Sequence, residues 1–448
     1  MPESKARSQP LTAHRGGPLK GTVTVPGDKS ISHRSLMLGA LSTGRTTVTG
    51  LLEAEDVINT ARIVSAMGAK AAKTGDTWEI TGRGVGGLSQ PDGPLDFGNA
   101  GTGTRLMMGI IAGHDMTAHL TGDASLQKRP MGRALKPLQQ MGLEVVEADR
   151  DRLPLTLRGT ADLIPIEYTL PVPSAQVKSA ILLAGLHAAG QTTVIEPEAT
   201  RDHTERMIRH FGGQVDVTEK GGVRRITVHG DAELAGQPVI VPGDPSSAAF
   251  LIAAALIVPG SEVTVRRILT NPTRTGFYAT LKEMGADIIF LNERAEGGDT
   301  VADIRARYGK LTGVRVPPGR APSMIDEYPV LSVVAAFASG ETRMEGLAEL
   351  KAKESDRLAA TAAGLIANGI AARVDGETLT VTGSKSVNGG GLVATHMDHR
   401  MAMAFLVLGL ASDRPVTVDD VTFVATSFPE FLPLMRGMGA RFEGPRKQ

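Results

Sequence analysis

Six segments of the chain are apolar nearly all the way round. They are RSLMLGAL (34–41), RLMMGIIAG (105–113), AILLAGLHAAG (180–190), AAFLIAAALIV (248–258), VLSVVAAFA (330–338) and AMAFLVLGLA (402–411). A helix without a polar face has to be surrounded by protein, so the pattern predicts six buried helices. Segments of the opposite character run between them. In the first of these, Val57, Ala61, Val64 and Met67 recur at helical spacing, which leaves one face apolar and one wet. Each amphipathic segment ends at a glycine, in AMGA, QMGL, HFGG, EMGA, ANGI and GMGA. Glycine at that place lets the chain leave a helix through the left-handed region. Most of the buried segments are followed by Gly and a short Thr/Val strand, as in GRTTVTG, GQTTVIE and GSEVTVRR.

These features recur as one unit. The terminating glycines are Gly68, Gly142, Gly212, Gly285, Gly369 and Gly439, separated by 74, 70, 73, 84 and 70 residues. The unit reads as strand, buried helix, strand, amphipathic helix and a strand pair such as KAAKTGDTWEITG. An insertion around NERAEGGDTVADIRARYGK accounts for the long fourth interval. Six buried helices in a chain of 448 residues fit two domains of three units each. One junction occurs twice, as VTVPGDKS from Val23 and as VIVPGDPSS from Val239. It marks the start of each triplet. The expected division is residues 26–240 in one domain and 1–25 with 241–448 in the other, with a cleft between them.

Composition narrows the function classes. Lys plus Arg and Asp plus Glu both total 48, so a nucleic-acid backbone is not the expected partner. There is no cysteine, which excludes disulfides, Cys-based zinc sites and a thiol nucleophile. No apolar run reaches the roughly 18–20 residues of a membrane span. The first twenty residues carry basic side chains but no apolar secretion core. A cytoplasmic protein is expected.

The starts of the buried helices carry the chemistry. They read PGDKSISHR, GNAGTGTR, VPSAQVKS, PGDPSS, APSMIDE and HMDHR, rich in residues that cap or closely approach helix ends. A helix N-terminus offers unpaired N–H donors and a partial positive charge, so it attracts anions. Lys29, Arg34, Arg105, Lys178 and Arg400 add cations at these starts, and KRPMGR, TRDHTER and KESDR add more nearby. The carboxylates Asp326 and Glu354 lie in the same kinds of turn. Cations gathered with carboxylates point to acid/base chemistry on a phosphorylated or carboxylated substrate. GRGVGG (82–87) matches a dinucleotide pattern, but LSQPDGP follows it and no helix can start there. GDKS lacks the glycine spacing of a nucleotide P-loop. His396 and His399 read as helix-capping residues without a third metal ligand, and His33 as a packed or capping side chain.

Taken together, PGDKSISHRS, LDFGNAGTGTR, DASLQKRPMGR, SAQVKSA, TRDHTE, APSMIDEYP, KESDR, DHRMAM and TSFPEF resemble the 5-enolpyruvylshikimate-3-phosphate synthase family. The resemblance is to its class II branch, whose members are often glyphosate-tolerant, and runs from about residue 20 to 440. It implies an α/β (α+β) architecture of two similar domains, each of three βαβαββ repeats with buried helices. This is the enolpyruvyl transferase fold, an inside-out α/β barrel, with two crossings between domains. It also implies transfer of the enolpyruvyl group of phosphoenolpyruvate to the 5-hydroxyl of shikimate 3-phosphate, through a tetrahedral intermediate, with release of phosphate. No metal or organic cofactor is implied, glyphosate is a possible inhibitor, and a monomer is expected.

Site roles follow from the same resemblance. Lys29 touches both substrates. Ser30 and Arg34 hold the shikimate carboxylate, while Ser174, the Ala175 backbone and Arg201 hold the 3-phosphate, with Gln176 beside them. Lys353 and Asp326 take the ring hydroxyls. Asn99, the Gly101 backbone region, Thr102, Arg129 and Gln176 take the phosphate of phosphoenolpyruvate, and Arg357 with Arg400 takes its carboxylate. Asp326, Glu354 and Lys29 are the candidates for acid and base. Planar guanidinium forks suit two mutually repelling anions, each charge-assisted bond contributing about 1.5–3 kcal/mol.

Two positions depart from what the family often shows. Thr426 stands where many class I members place a lysine, and Gly101 stands where tolerant class II members tend to have alanine. Two rival readings are a UDP-N-acetylglucosamine enolpyruvyl transferase and a non-catalytic phospho-ligand-binding protein on the same fold. The first family usually carries a loop cysteine, and asparagine where Ser30 stands. Binding of two anions between the predicted domains should draw them together. Small-angle scattering with both substrates present should report a smaller radius of gyration; superimposable curves would contradict closure.

Overall fold

The computed structural model describes residues 8–148, 151–296 and 298–444. Two compact units result: Gly27–Pro242 together with Ala295–Asp299 forms the first, and the remaining described chain forms the second. In the first unit the helices are α1 (Lys29–Ala40), α2 (Glu55–Ala66), α3 (Gly101–Ala112), α4 (Gly132–Met141), α5 (Ala175–Gly185) and α6 (His203–His210). The second unit has α7 (Pro245–Ile257), α8 (Gly276–Glu283), α9 (Tyr328–Ala336), α10 (Arg357–Ala367), α11 (His399–Gly409) and α12 (Phe431–Gly437).

The odd-numbered helices form the interior, as their lack of a polar face requires. Every residue of α7, α9 and α11 is buried, and α1, α3 and α5 are buried beyond their first turn apart from Arg105. Fully burying a Leu, Ile or Phe side chain contributes about 1.5–3 kcal/mol, so these rows dominate the stability of each unit. The even-numbered helices bury one stripe: Val57, Ala61 and Val64 of α2 point inward while Arg62 stays outside. All six glycines that end them have positive φ, between 77° and 118°.

Six four-stranded sheets cover these helices, one per repeat. In four of them the strand preceding the buried helix lies parallel to the strand following it; in the other two the strands before α1 and α7 are exchanged, and in all six the other two strands of the sheet run antiparallel. The strand Arg45–Thr49 shows the burial alternation of a sheet with one covered face. The insertion read from the long repeat interval forms the strand pair Asp287–Glu296 and Asp299–Arg307, which belongs to the second unit except for residues 295–299. The last sheet borrows a strand from the other end of the chain, since Leu11–His14 pairs between Val416–Val418 and Arg441–Glu443.

The duplicated Pro-Gly-Asp junction is where the chain passes between units. Lys20–Thr24, which leads into α1, pairs with Glu262–Leu269 in the second unit. Pro238–Ile240, which leads into α7, pairs with Arg45–Thr49 in the first. Each strand therefore completes a sheet in one unit, and the helix that follows it begins the other. The three junction residues have separate tasks. A Cβ on Gly27 would meet the Gly50 carbonyl oxygen at 2.0 Å, so no larger residue fits there. Asp28 and Asp244 cap α1 and α7, accepting from Ile31 N at 2.9 Å and Ser246 N at 2.7 Å. Such caps contribute about 1 kcal/mol each. The proline carbonyls accept from the capping backbones: Asp28 N donates to Pro242 O at 2.8 Å and Asp244 N to Pro26 O at 2.9 Å.

Buried imidazoles make the first unit sensitive to acid. His114 and His187 meet edge to face with centroids 4.7 Å apart. Burial, then the neighbouring His114, pushes the His187 imidazole down to about 3, and burial also lowers His33 and His114. A base depressed in the folded state stays neutral there while the unfolded chain takes up a proton below about 6.5. Stability is therefore full above that pH and falls as pH drops. Urea midpoints at pH 7.5 and 5.5 should show this fall. His187→Phe should remove up to about one proton of it, roughly 1.4 kcal/mol per pH unit; an unchanged slope in that variant would contradict the assignment.

Candidate active site

In the first unit the N-terminal turns of α1, α3 and α5 are bonded to one another. Gln176 on α5 donates from Nε2 to Thr102 Oγ1 on α3 at 2.9 Å, and Arg105 donates to Gln176 Oε1 at 3.1 Å. Arg34 ties α1 to its neighbours: Nη2 donates to Ser179 Oγ and Nε to Thr204 Oγ1, both at 2.7 Å, and Nη1 returns to the Ser30 carbonyl at 2.9 Å. Lys29, at the first position of α1, pairs with Asp56 Oδ2 at 2.9 Å. Ser174 caps α5, accepting from Val177 N, which leaves Ala175 as its first residue. Arg201 lies half-buried on the loop before α6.

Arg129 is buried beneath the start of α3. Its Nη2 donates to Asn99 Oδ1 at 2.5 Å and to Ser125 Oγ at 3.2 Å, while Asn99 donates onward to Asp123 Oδ2 at 2.7 Å. Ala100 occupies the cap of α3 and offers no side-chain acceptor. The backbone at Gly101 lies against two guanidiniums: a Cβ there would stand 2.9 Å from Arg129 Nη1 and 3.1 Å from Arg105 Nη1.

The second unit gathers its charges around Arg357, whose side chain is fully buried. Nε donates to Asp398 Oδ2 at 2.7 Å, Nη1 to Asp326 Oδ1 at 3.1 Å and Nη2 to Glu354 Oε2. Burial opposes the charge, but Asp398, Glu354 and Asp326 outweigh it and hold this guanidinium's pKa above its ordinary value. Lys353 Nζ approaches the same Asp326 oxygen at 3.5 Å, and Arg400 lies 3.9 Å from both Asp326 and Glu327. The starts of α7, α9 and α11 meet here too. Ser246 donates to Glu327, Arg274 donates to Ser246 Oγ at 2.9 Å, and Asp398 caps α11 through Arg400 N. Removing one partner from such a buried ion cluster costs about 3–5 kcal/mol.

The structure thus brings Asp326, Lys353, Glu354, Arg357 and Arg400 into one charged group, while the first unit holds its site residues in several smaller networks around Arg34, Gln176, Arg129 and Lys29. Some expectations change. Lys178 is no cation at an open helix start: it is wholly buried and ion-paired with Glu196 and Glu205. The helix after APSMIDE starts only at Tyr328, because Pro322 and Pro329 confine the preceding turns to a 3-10 segment, so Asp326 stands before the helix. Asp398, not His396 or His399, caps α11. His33 is packed as expected, sharing a 2.8 Å hydrogen bond with Thr60. Thr426, in the place of a lysine, turns inward to the Phe423 carbonyl at 2.7 Å and to His399.

Several supporting residues escaped the sequence reading. Asp56, Asp123, Asp398 and Glu327 hold Lys29, Asn99, Arg357 and Arg400 respectively. Asp56 looked like an ordinary acidic residue in a first helical turn. Asp398 stood inside the DHR motif, where the arginine drew attention first.

A family model described as EPSP synthase (3-phosphoshikimate 1-carboxyvinyltransferase) matches residues 13–435. A protein of Pseudomonas sp. (strain PG2982) named 3-phosphoshikimate 1-carboxyvinyltransferase is 59% identical, over 98% of each chain. One of the same name from Methylorubrum extorquens is 60% identical, over 97% of each. An EPSP synthase structure from Acinetobacter baumannii is 42% identical with a TM-score of 0.86, covering 98% of this chain and 100% of that one. The enolpyruvyl transferase NikO from Streptomyces tendae has a TM-score of 0.77, covering 98% and 99%, and at 18% identity shares the fold alone.

Proposed function

The chain belongs to the EPSP synthase family, and from that premise we propose how its residues divide the reaction. The enzyme transfers the enolpyruvyl group of phosphoenolpyruvate to the 5-hydroxyl of shikimate 3-phosphate and releases phosphate. The relatives and the family model favour this acceptor over a UDP-sugar.

Lys29 serves both substrates. Ser30 and Arg34 take the acceptor carboxylate; Ser174, Ala175, Gln176 and Arg201 take its phosphate; Asp326 and Lys353 take its hydroxyls. Asn99, Gly101, Thr102, Arg129 and Gln176 receive the donor phosphate, and Arg357 with Arg400 receives the donor carboxylate. Electrostatics supports this division. Bonds to hydroxyl, amide and carbonyl oxygens orient the guanidiniums of Arg34 and Arg129. Arg357 instead lies among carboxylates. One observation carries the reading of the chemistry: a single guanidinium holds Asp326 on Nη1 and Glu354 on Nη2. Two carboxylates are thereby fixed on either side of the group assigned to the donor carboxylate, where one proton must leave the 5-hydroxyl and another must reach the vinyl carbon.

The class II assignment, a monomeric state and inhibition by glyphosate belong to the same proposal. Glycine at 101 adds no methyl group against Arg129 Nη1 and Arg105 Nη1, so the crowding that an alanine would bring is missing and this enzyme is proposed to be glyphosate-sensitive.

Phosphate release from phosphoenolpyruvate should occur with shikimate 3-phosphate and not with UDP-N-acetylglucosamine; the reverse pattern overturns the reading. Lys29→Met should lower kcat by about a hundredfold or more, whereas near-normal turnover would remove this residue from the chemistry. Gly101→Ala forces Arg129 to shift, an overpacking cost of about 1–3 kcal/mol. It should raise the inhibition constant for glyphosate by about tenfold or more, and KM for phosphoenolpyruvate by less. An unchanged inhibition constant would show that this position does not set sensitivity.

A further inference from the structure

Lys178 is the only lysine in the described residues whose side chain is both fully buried and paired with two carboxylates. It projects from α5, with Nζ 2.9 Å from Glu196 Oε1 and 2.7 Å from Glu205 Oε1. Glu196 closes the strand Gln191–Glu196, and Glu205 lies on α6. Between them runs the loop that carries Arg201. The loop is held from within as well, because Thr200 donates its hydroxyl to Glu196. Arg224 approaches the other Glu196 oxygen at 3.6 Å.

The next residue along each helix repeats the link. Ser179 follows Lys178 on α5, and Thr204 precedes Glu205 on α6. Thr204 donates to Ser179 Oγ at 2.7 Å, and Ser179 donates to the Ala175 carbonyl at 2.6 Å. Both hydroxyls also accept from Arg34. The ion pair therefore fixes the spacing of the two helices at the place where Arg34 is clamped, and one loop away from Arg201.

We infer that Lys178 is a positioning residue for the acceptor half of the site: through Glu205 and Glu196 it sets Arg34 and Arg201 at the separation that matches a molecule bearing a carboxylate at one end and a phosphate at the other. This rests on the assignment of those two arginines to shikimate 3-phosphate. A buried lysine does this where a neutral side chain cannot. Without it two desolvated carboxylates face each other, and one must take up a proton or swing away, carrying α6 or the loop with it. The link from α5 to the donor half is a separate one, the bond from Gln176 to Thr102, so a displacement of α6 and its loop falls first on the acceptor residues.

Steady-state kinetics of the full-length enzyme test this. Lys178→Met should raise KM for shikimate 3-phosphate by about tenfold or more while KM for phosphoenolpyruvate and kcat stay within about twofold. Lys178→Arg should restore most of the loss. If Lys178→Met does not fold, Glu205→Gln, which leaves the lysine paired with Glu196, should show the same split at about threefold. A KM for shikimate 3-phosphate that does not move, or one that moves in step with kcat and with KM for the donor, overturns the inference. Arg34→Lys measured alongside separates the two levels of the argument. If it raises KM for shikimate 3-phosphate and Lys178→Met does not, the positioning role alone falls. If it leaves that KM unchanged, the acceptor assignment falls, and the positioning role with it.

Discussion

The flanks of the six interior helices are given over to packing, so polar work can be done only at their ends. Buried flanks leave no room for a binding surface along the helix, and the strands around them have one face committed inward. What remains is the first turn of each helix, with its unpaired N–H groups and partial positive charge. Sixfold repetition of this constraint means that a triplet of helices sharing one direction delivers three such turns to one place. The bonds between Gln176 and Thr102, and between Arg34 and Ser179, show it in the first unit; that from Ser246 to Glu327 and the approach of Arg400 to Glu327 show it in the second.

The two triplets hold their cations differently, and chemistry follows from the difference. Hydroxyl, amide and carbonyl oxygens around Arg34 and Arg129 fix the direction of each guanidinium. Around Arg357 the partners are Asp326, Glu354 and Asp398. These carboxylates keep the guanidinium protonated despite complete burial, and it in turn keeps two of them at fixed positions. The buried Lys178 pairs invert the second arrangement, one lysine serving two carboxylates, and there the outcome is rigidity.

Much of this was legible before any coordinates. The period of the terminating glycines, the apolar segments and the Pro-Gly-Asp duplication depend on local physics: a left-handed φ, a face without polar residues, a cap. Local requirements leave local marks. The carboxylates behind the cations left weaker ones, because an aspartate near a helix start serves equally as cap, dipole partner or ligand to a distant lysine. Asp56 and Asp398 became distinguishable only once the fold placed them against Lys29 and Arg357. Lys178 misled for the complementary reason. Its helix position matched the other cations, and its burial depends on Glu196 and Glu205, which lie 18 and 27 residues further along the chain.

The junction used twice and charged once follows from the same constraint. Each copy must end a strand and cap a helix that begins a new triplet, and the space for a Cβ at its glycine is tight in both, closed by backbone at Gly27 and by the Ile268 side chain at Gly243; Pro, Gly and Asp meet those needs. The next residue is free of them, and there the copies part. Pro245 presets φ for the first turn of α7 and contributes no charge, so that turn is occupied by Ser246, Arg274 and Glu327 in a closed network. Lys29 occupies the equivalent place on α1, countered by Asp56 at 2.9 Å and still 17% exposed. An ammonium on a flexible stem at a helix start can exchange a carboxylate partner for an incoming anion, which a proline cannot. The pseudosymmetry of the fold therefore extends through the backbone and the caps, and ends at the residue that follows each capping aspartate, Lys29 in one copy and Pro245 in the other.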